Sequence, residues 1–414
     1  MTVRPFRALR PRKDFAARVA VKPYDVVSFE EAKRIVLSNP LAFYKVTKPE
    51  VNFDEPVDPS SYETLEMAKR NLQKYREDGI FFEDDQECFY VYRQISHDHT
   101  QTGLVATFSA KEYLESKIKK HELTRKDKEE ERVKHIEYLR AQTGLVFLFY
   151  RAERRLNELL DSITRVEPEY DFVDEDGVRQ IVYVVKERSK IEEIKRAFEE
   201  VPAFYIADGH HRAAAAVTVA QRMANRNPNH TGLEEYNYFV GVVFPHDQLK
   251  IYDYNRIVKD LNGLTVEQFL NRLERVFNVE VAPVRPYRPK EKHEFGMFLG
   301  DTWYRLRVKD FVLREAGLDP VETLDVSILQ REVLDKILNI KDPRRDKRID
   351  FVGGVFGLEV LEEYVLKKDW AVAFALYPTS IEELMNVSDA GLIMPPKSTW
   401  FEPKLKSGLF VHLI

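Results

Sequence analysis

Cysteine is almost absent: Cys88 is the only one in 414 residues. An intrachain disulfide is thereby excluded, and a reducing cytoplasmic setting is the simpler expectation. No apolar run is long enough to cross a bilayer; the longest, such as Leu145–Tyr150 and Asn237–Phe244, have the length of strands. No basic stretch leads into an apolar segment at the start, so neither a secretory signal nor a membrane partner is expected. Charge of one sign is not in excess either, with 64 Lys and Arg against 69 Asp and Glu and a net charge of −5. A duplex-binding domain ordinarily carries a basic excess, so nucleic acid is not an expected partner. Tandem repeats and low-complexity tracts are missing too.

What is present belongs to a globular protein. A hydrophobic fraction of 44% with 12% aromatics can bury a large core, and the length suggests two or three domains. Lys and Glu interleave through Lys117–Arg140, as on solvated helix faces carrying i,i+4 pairs. A charged fraction of 32% with a single Cys and six Met suits a heat-adapted protein.

Patterning along the chain predicts an α+β fold in three stretches. Residues 1–108 are mixed, with Ser28 placed to cap a helix over Phe29–Ser38 and a second helix over Tyr62–Glu77. Cys88–Ile95 and Gly103–Phe108 alternate like strands. In 109–260, Ser109 is expected to cap a helix running through Ile118. Thr124, with Asp127, is expected to cap another over Lys128–Ala141, and His121-Glu122-Leu123 forms a polar elbow between them. Tyr170–Val173 and Gln180–Val185 flank Asp174-Glu175-Asp176-Gly177, a hairpin signal. Ala203–Ala207 reads as a buried strand and Ala213–Arg226 as an alanine-rich helix; Asn237–Phe244 and Leu249–Tyr254 read as further strands. From 261 to 414, alternating helices and short strands suggest a second α+β domain.

The most informative feature is the loop Asp208-Gly209-His210-His211-Arg212 between that strand and that helix. A helix N-terminus presents unsatisfied N–H groups and a partial positive charge, which makes it an anion site. Gly209 permits close backbone approach, Arg212 can grip a phosphate bidentately, and His210 and His211 can donate hydrogen bonds. Asp208 is unsuited to facing a bare phosphate and points to a metal ion, a ribose hydroxyl or an amine. Neighbouring histidines diverge and no i,i+4 His partner exists, so a metal site on the loop alone is disfavoured and its ligands stay open. An ordinary polar turn before a helix is an equally good local reading.

The run from Ile206 to Arg212, followed by alanine, resembles the nucleotide-phosphate motif of the ParB/sulfiredoxin superfamily. Its form is closest to that of the free serine kinases, whose loop also reads Asp-Gly-His-His-Arg. Pro5-Phe6-Arg7, Pro23-Tyr24-Asp25 and Pro396-Lys397-Ser398-Thr399 also fit a longer bacterial and archaeal family built on that core. The resemblance implies a ParB/sulfiredoxin-like mixed-sheet core at 109–260 with an N-terminal extension and a second α+β domain. It further implies a kinase that phosphorylates free L-serine to O-phospho-L-serine, with Mg²⁺ and with ATP as first-choice donor, ADP or pyrophosphate being alternatives. His121-Glu122 is similar to the His-Glu pair of those kinases, which makes Glu122 the implied base, with Asp208 and His211 beside it in the catalytic set and His121 among the implied substrate-binding residues. Lys397, Ser398 and Thr399 resemble their acceptor-binding stretch; those kinases continue with Arg-His where this chain has Trp400-Phe401, and a more apolar acceptor pocket including Trp400 is implied. The expected partners are therefore small molecules, to a monomer or homodimer.

Two other functions compete. A ParB-like nucleotide-binding or hydrolysing regulatory module needs no acceptor, but such proteins normally add a basic DNA-binding domain. A sulfiredoxin-like reductase needs a cysteine in the loop, and His210 stands there instead, with Cys88 far away in sequence.

Overall fold

A computed structural model describes residues 1–414. The chain forms two units, Met1–Leu249 together with Pro403–Ile414, and Lys250–Glu402. Both units combine helices with sheets, and the fold class is α+β.

The first unit is built on a nine-stranded sheet. Its strands run in the order Ile118–Lys119, Phe204–Asp208, Val146–Tyr150, Tyr238–Pro245, Thr100–Ser109, Phe89–Ile95, Arg179–Val185 and Tyr170–Val173. The short Val3–Arg4 also pairs with Thr100–Ser109. The central strand Val146–Tyr150 is buried at every position. Continuous apolar runs of this kind suit strands covered on both faces, where alternation would leave polar groups in a core. The helix His210–Arg226 packs on the sheet through Ala213, Ala216, Val217 and Ala220, at helical spacing. Their small side chains let the helix axis come close to the strands.

Two helices begin or end elsewhere than the sequence pattern implies, and both differences shape the site. Ser109 does cap a helix, accepting the N–H of Glu112 at 3.3 Å, but that helix covers only Ala110–Leu114. Ser116 then takes a left-handed φ of 59° and the chain enters the edge strand Ile118–Lys119, parallel to Phe204–Tyr205. Ile118, fully buried against the sheet, gains more from this pairing than from another helical turn. The next helix runs Lys126–Leu139 from Arg125, and Thr124 donates its hydroxyl to Glu129 at 2.9 Å instead of capping. Arg140, at φ 54°, ends that helix, so Ala141 belongs to the strand Ala141–Gln142.

The acidic hairpin forms as its turn signal implies, with Tyr170–Val173 paired to Arg179–Val185. Asp174 accepts the N–H groups of Asp176 and Val178, both at 2.9 Å. The last residues of the chain return to this unit, where His412–Leu413 pairs with Ala141–Gln142. Lys406 is buried between Asp174, at 3.0 Å, and Glu175, at 2.8 Å.

The second unit carries a six-stranded antiparallel sheet. The order is Phe277–Val281, Thr302–Val308, Glu294–Leu299, Val372–Leu376, Tyr254–Val258 and Ile349–Gly353. The strand expected over Leu249–Tyr254 is broken into Ile251–Tyr252 and Tyr254–Val258. Buried Asp253 interrupts it: its carboxylate accepts from Asn255 at 2.7 Å and Arg288 at 2.9 Å, and its carbonyl from Gly354 at 2.7 Å. No helix in the protein is long and apolar enough to cross a membrane.

Candidate functional site

Parallel neighbouring strands deliver their C-terminal ends to the same side of a sheet. Ile118–Lys119 and Phe204–Tyr205 are such a pair, so the chain leaves both in one place, once into His121-Glu122 and once into Asp208-Gly209-His210. The register of Phe204–Asp208 against Val146–Tyr150 shifts between Ile206 and Asp208, an irregularity that re-aims the end of the strand. Gly209 follows in the left-handed conformation, φ 90° and ψ 30°, and serves as the N-cap of His210–Arg226. A Cβ at Gly209 would lie 3.0 Å from Arg212 Cζ, so the arginine fills the space beneath the turn.

Asp208 accepts the N–H of Gly209 at 2.9 Å, and its other oxygen lies 3.5 Å from Arg212 and 3.6 Å from Lys404. Burial by itself would raise its pKa. Lys404 and Arg212, followed by the Gly209 N–H and His210, outweigh burial and hold the carboxyl well below the usual range. Arg212 is buried; it donates to the Leu145 carbonyl and stands 3.5 Å from Asp25 as well as from Asp208. Burial opposes its charge, while Asp25 and Asp208 raise its pKa. Arg212 Nε, buried without a partner, borders a cavity of about 30 Å³ shared with Tyr24, Arg132 and His135, room for about one water.

The three histidines differ. His210 is 5% exposed, and burial drives its pKa well down. His121 is buried too; burial lowers its pKa to about 4, against a hydrogen bond to the Ile206 backbone that favours the charged form. The two rings meet edge to face with centroids 4.5 Å apart. His211 turns the other way and accepts the N–H of Arg125 on Nε2 at 3.0 Å, which places the proton of its neutral form on Nδ1. Glu122 is exposed, and one ligand-type atom from each of His121, Glu122 and His210 lies within 4.8 Å of the others.

The family described as Protein of unknown function (DUF1015) matches residues 3–327. The chain belongs to the DUF1015 family. No curated protein sequence matches it. Among solved structures, the DUF1015 chain is similar to a free serine kinase mutant in complex with AMP, at 14% identity and a TM-score of 0.37, over 74% of this chain and 92% of that one. SbnI with a C-terminal truncation, from Staphylococcus aureus, aligns at 14% identity and a TM-score of 0.38, over 75% and 87%. A conserved hypothetical protein from Pyrococcus furiosus aligns at 15% identity and a TM-score of 0.35, over 74% and 95%.

Lys397, Ser398, Thr399 and Trp400 lie in the second unit. Lys397 takes a left-handed φ of 60° and its carbonyl accepts from Arg256 at 2.9 Å. Ser398 donates its hydroxyl to the Pro395 carbonyl at 2.5 Å and its own carbonyl accepts from Thr379 at 2.9 Å, so its polar groups serve the loop itself. Trp400 donates to Glu402 at 2.9 Å and packs edge-on to Tyr254. A cavity of about 310 Å³ in this unit is bordered by Arg256, Gln330, Lys341, Arg344, Pro395 and Pro396. Burial lowers the Arg256 pKa to about 10.

Sequence reasoning missed Lys404 and Asp25, the two charges that bracket Asp208 and Arg212. Neither has a local signal: Asp25 lies within Pro23-Tyr24-Asp25 with nothing to mark its partner, and Lys404 sits in an unpatterned tail.

Proposed function

We propose that this protein is a small-molecule kinase that transfers a phosphoryl group to the hydroxyl of free L-serine. What supports the reading most is the meeting of a carboxylate elbow with the N-terminus of a long helix, at the end of two parallel strands. Phosphoryl transfer needs an anion cradle, positive charge and a base within reach of the acceptor hydroxyl. The first turn of His210–Arg226, opened by Gly209, is the cradle for the donor phosphates. Arg212, under the turn, supplies fixed positive charge from below, and the backbone N–H groups of His210 and His211 belong to that first turn. Lys404 adds a second cation next to Asp208.

Glu122 is the base. As the serine oxygen bonds to phosphorus, its proton passes to the Glu122 carboxylate, and the bond from phosphorus to the departing nucleotide or phosphate oxygen breaks. His121 orients the elbow from within the core. Mg²⁺ takes oxygen ligands from one or two carboxylates together with phosphates and water, and Asp208, held ionised beside the loop, fits that requirement. When bound, Mg²⁺ neutralises charge on the donor phosphates. ATP is the first-choice donor.

The test is incubation of the folded protein with Mg²⁺, with ATP, ADP or pyrophosphate in turn, and with a panel of amino acids and alcohols, followed by mass detection of phosphorylated product. O-phospho-L-serine is expected, and no product from any combination overturns the reading. Glu122→Gln is expected to lower kcat by at least ~10²-fold, as loss of a general base does. Near-normal turnover in that variant removes Glu122 from the chemistry.

A further inference from the structure

His210 stands on the first turn of a long helix, 5% exposed, with neither ring nitrogen hydrogen-bonded. Buried polar atoms are almost always partnered, and an imidazole left without a partner is costly unless something else completes it. Its neighbours are chosen for one kind of completion. The His121 ring faces it at 4.5 Å between centroids, and the Glu122 carboxylate completes a set of three ligand atoms lying within 4.8 Å of one another. We propose that His121, Glu122 and His210 form a binding site for a divalent first-row transition ion such as Zn²⁺.

The chemistry of the donors suits such an ion. Two imidazoles and one carboxylate are a common three-ligand set for zinc, with the fourth position open to water or a substrate oxygen. Imidazole binds metal in its neutral form, and both rings are buried. The hydrogen bond from His121 to the Ile206 backbone fixes one tautomer and leaves the lone pair on the other ring nitrogen, an outer-shell arrangement common around metal-bound histidines. A tetrahedral ion with bonds of about 2.1 Å holds its ligand atoms about 3.4 Å apart, so the set closes slightly on the ion. Glu122 is exposed and supplies that movement with its own side-chain torsions. The site goes beyond the kinase reading and shares His121, Glu122 and His210 with it: a carboxylate that ligates an ion is not at that moment a free base.

The full chain, stripped with chelator and dialysed, is titrated with Co²⁺ and read by its visible absorption, then titrated with Zn²⁺ by calorimetry. One equivalent of either ion is expected, with Zn²⁺ displacing Co²⁺. Glu122→Gln and, separately, His210→Ala are expected to weaken binding at least ~10²-fold, since even outer-shell losses cost 10–100-fold. Glu122 is exposed, so its variant tests the site even if His210→Ala fails to fold. No stoichiometric binding, or binding unchanged in Glu122→Gln, overturns the site. The kinase reading is judged apart from it: phosphoserine formed in Mg²⁺ by protein that binds no Co²⁺ overturns the metal site alone. Stoichiometric, Glu122-dependent Co²⁺ binding without any phosphorylated product supports the site and counts against the kinase.

Discussion

Gly209 is the residue on which the cradle turns, and its φ of 90° is open to glycine at little cost. A side chain there meets both backbone strain and the Arg212 guanidinium at 3.0 Å. Gly209→Ala is therefore expected to lower unfolding free energy by about 1–2 kcal/mol, measured by urea denaturation, and, on the kinase proposal, to abolish nucleotide binding. His135 illustrates a second residue-scale effect. Burial, reinforced by Arg132, lowers its pKa to about 3, while its ring N–H donates to the Val46 carbonyl at 2.8 Å. An unfolded chain protonates histidine near pH 6.5, so the unfolded state binds the proton first and stability falls as pH drops below that value. Between pH 7 and pH 5 this one group is expected to contribute a loss of about 2 kcal/mol. Denaturation at the two pH values, compared with His135→Gln, checks it: the variant should lose less on acidification. The residues of the loop, Asp208 to Arg212, were legible because their role is written locally, as a strand end, a glycine and a helix start. Lys404 and Asp25 were not, because charge pairing across the fold leaves no mark on neighbouring residues.

Elements were legible where a cap and a period agreed. Ser28 caps Phe29–Ser38 and accepts the Glu31 N–H at 3.1 Å, with the boundaries that the pattern implies. Ser28→Ala is expected to cost about 1 kcal/mol by thermal or urea unfolding, and Ser28→Asp to restore most of it. The elbow is the opposite case. The stretch after Leu114 has good helical residues, and only pairing of Ile118–Lys119 with a strand far along the chain turns it into a sheet edge. That pairing brings His121 to His210, so the histidine cluster was invisible for the same reason that the helix looked too long. Tertiary burial overrode local propensity at the one place where it mattered for chemistry.

At the scale of the whole molecule, the first unit is closed by residues far from the rest of it in sequence. Lys406 is 2% exposed and neutralises Asp174, which burial would otherwise push toward protonation. Lys406→Met leaves a buried carboxylate uncompensated and is expected to cost about 3–5 kcal/mol, with Asp174→Asn in the same chain recovering much of the loss. Chemical denaturation of the single and double variants measures both. The chain leaves this unit at Leu249 and re-enters it at Pro403, so everything between is synthesised before the unit receives its last strand. On the ribosome, the turn that carries Asp208 emerges long before the amine of Lys404 exists. A nascent chain thus holds Asp208 with Arg212 alone as its counter-ion, and the second cation joins the turn only after the segment that carries Lys404 has been made.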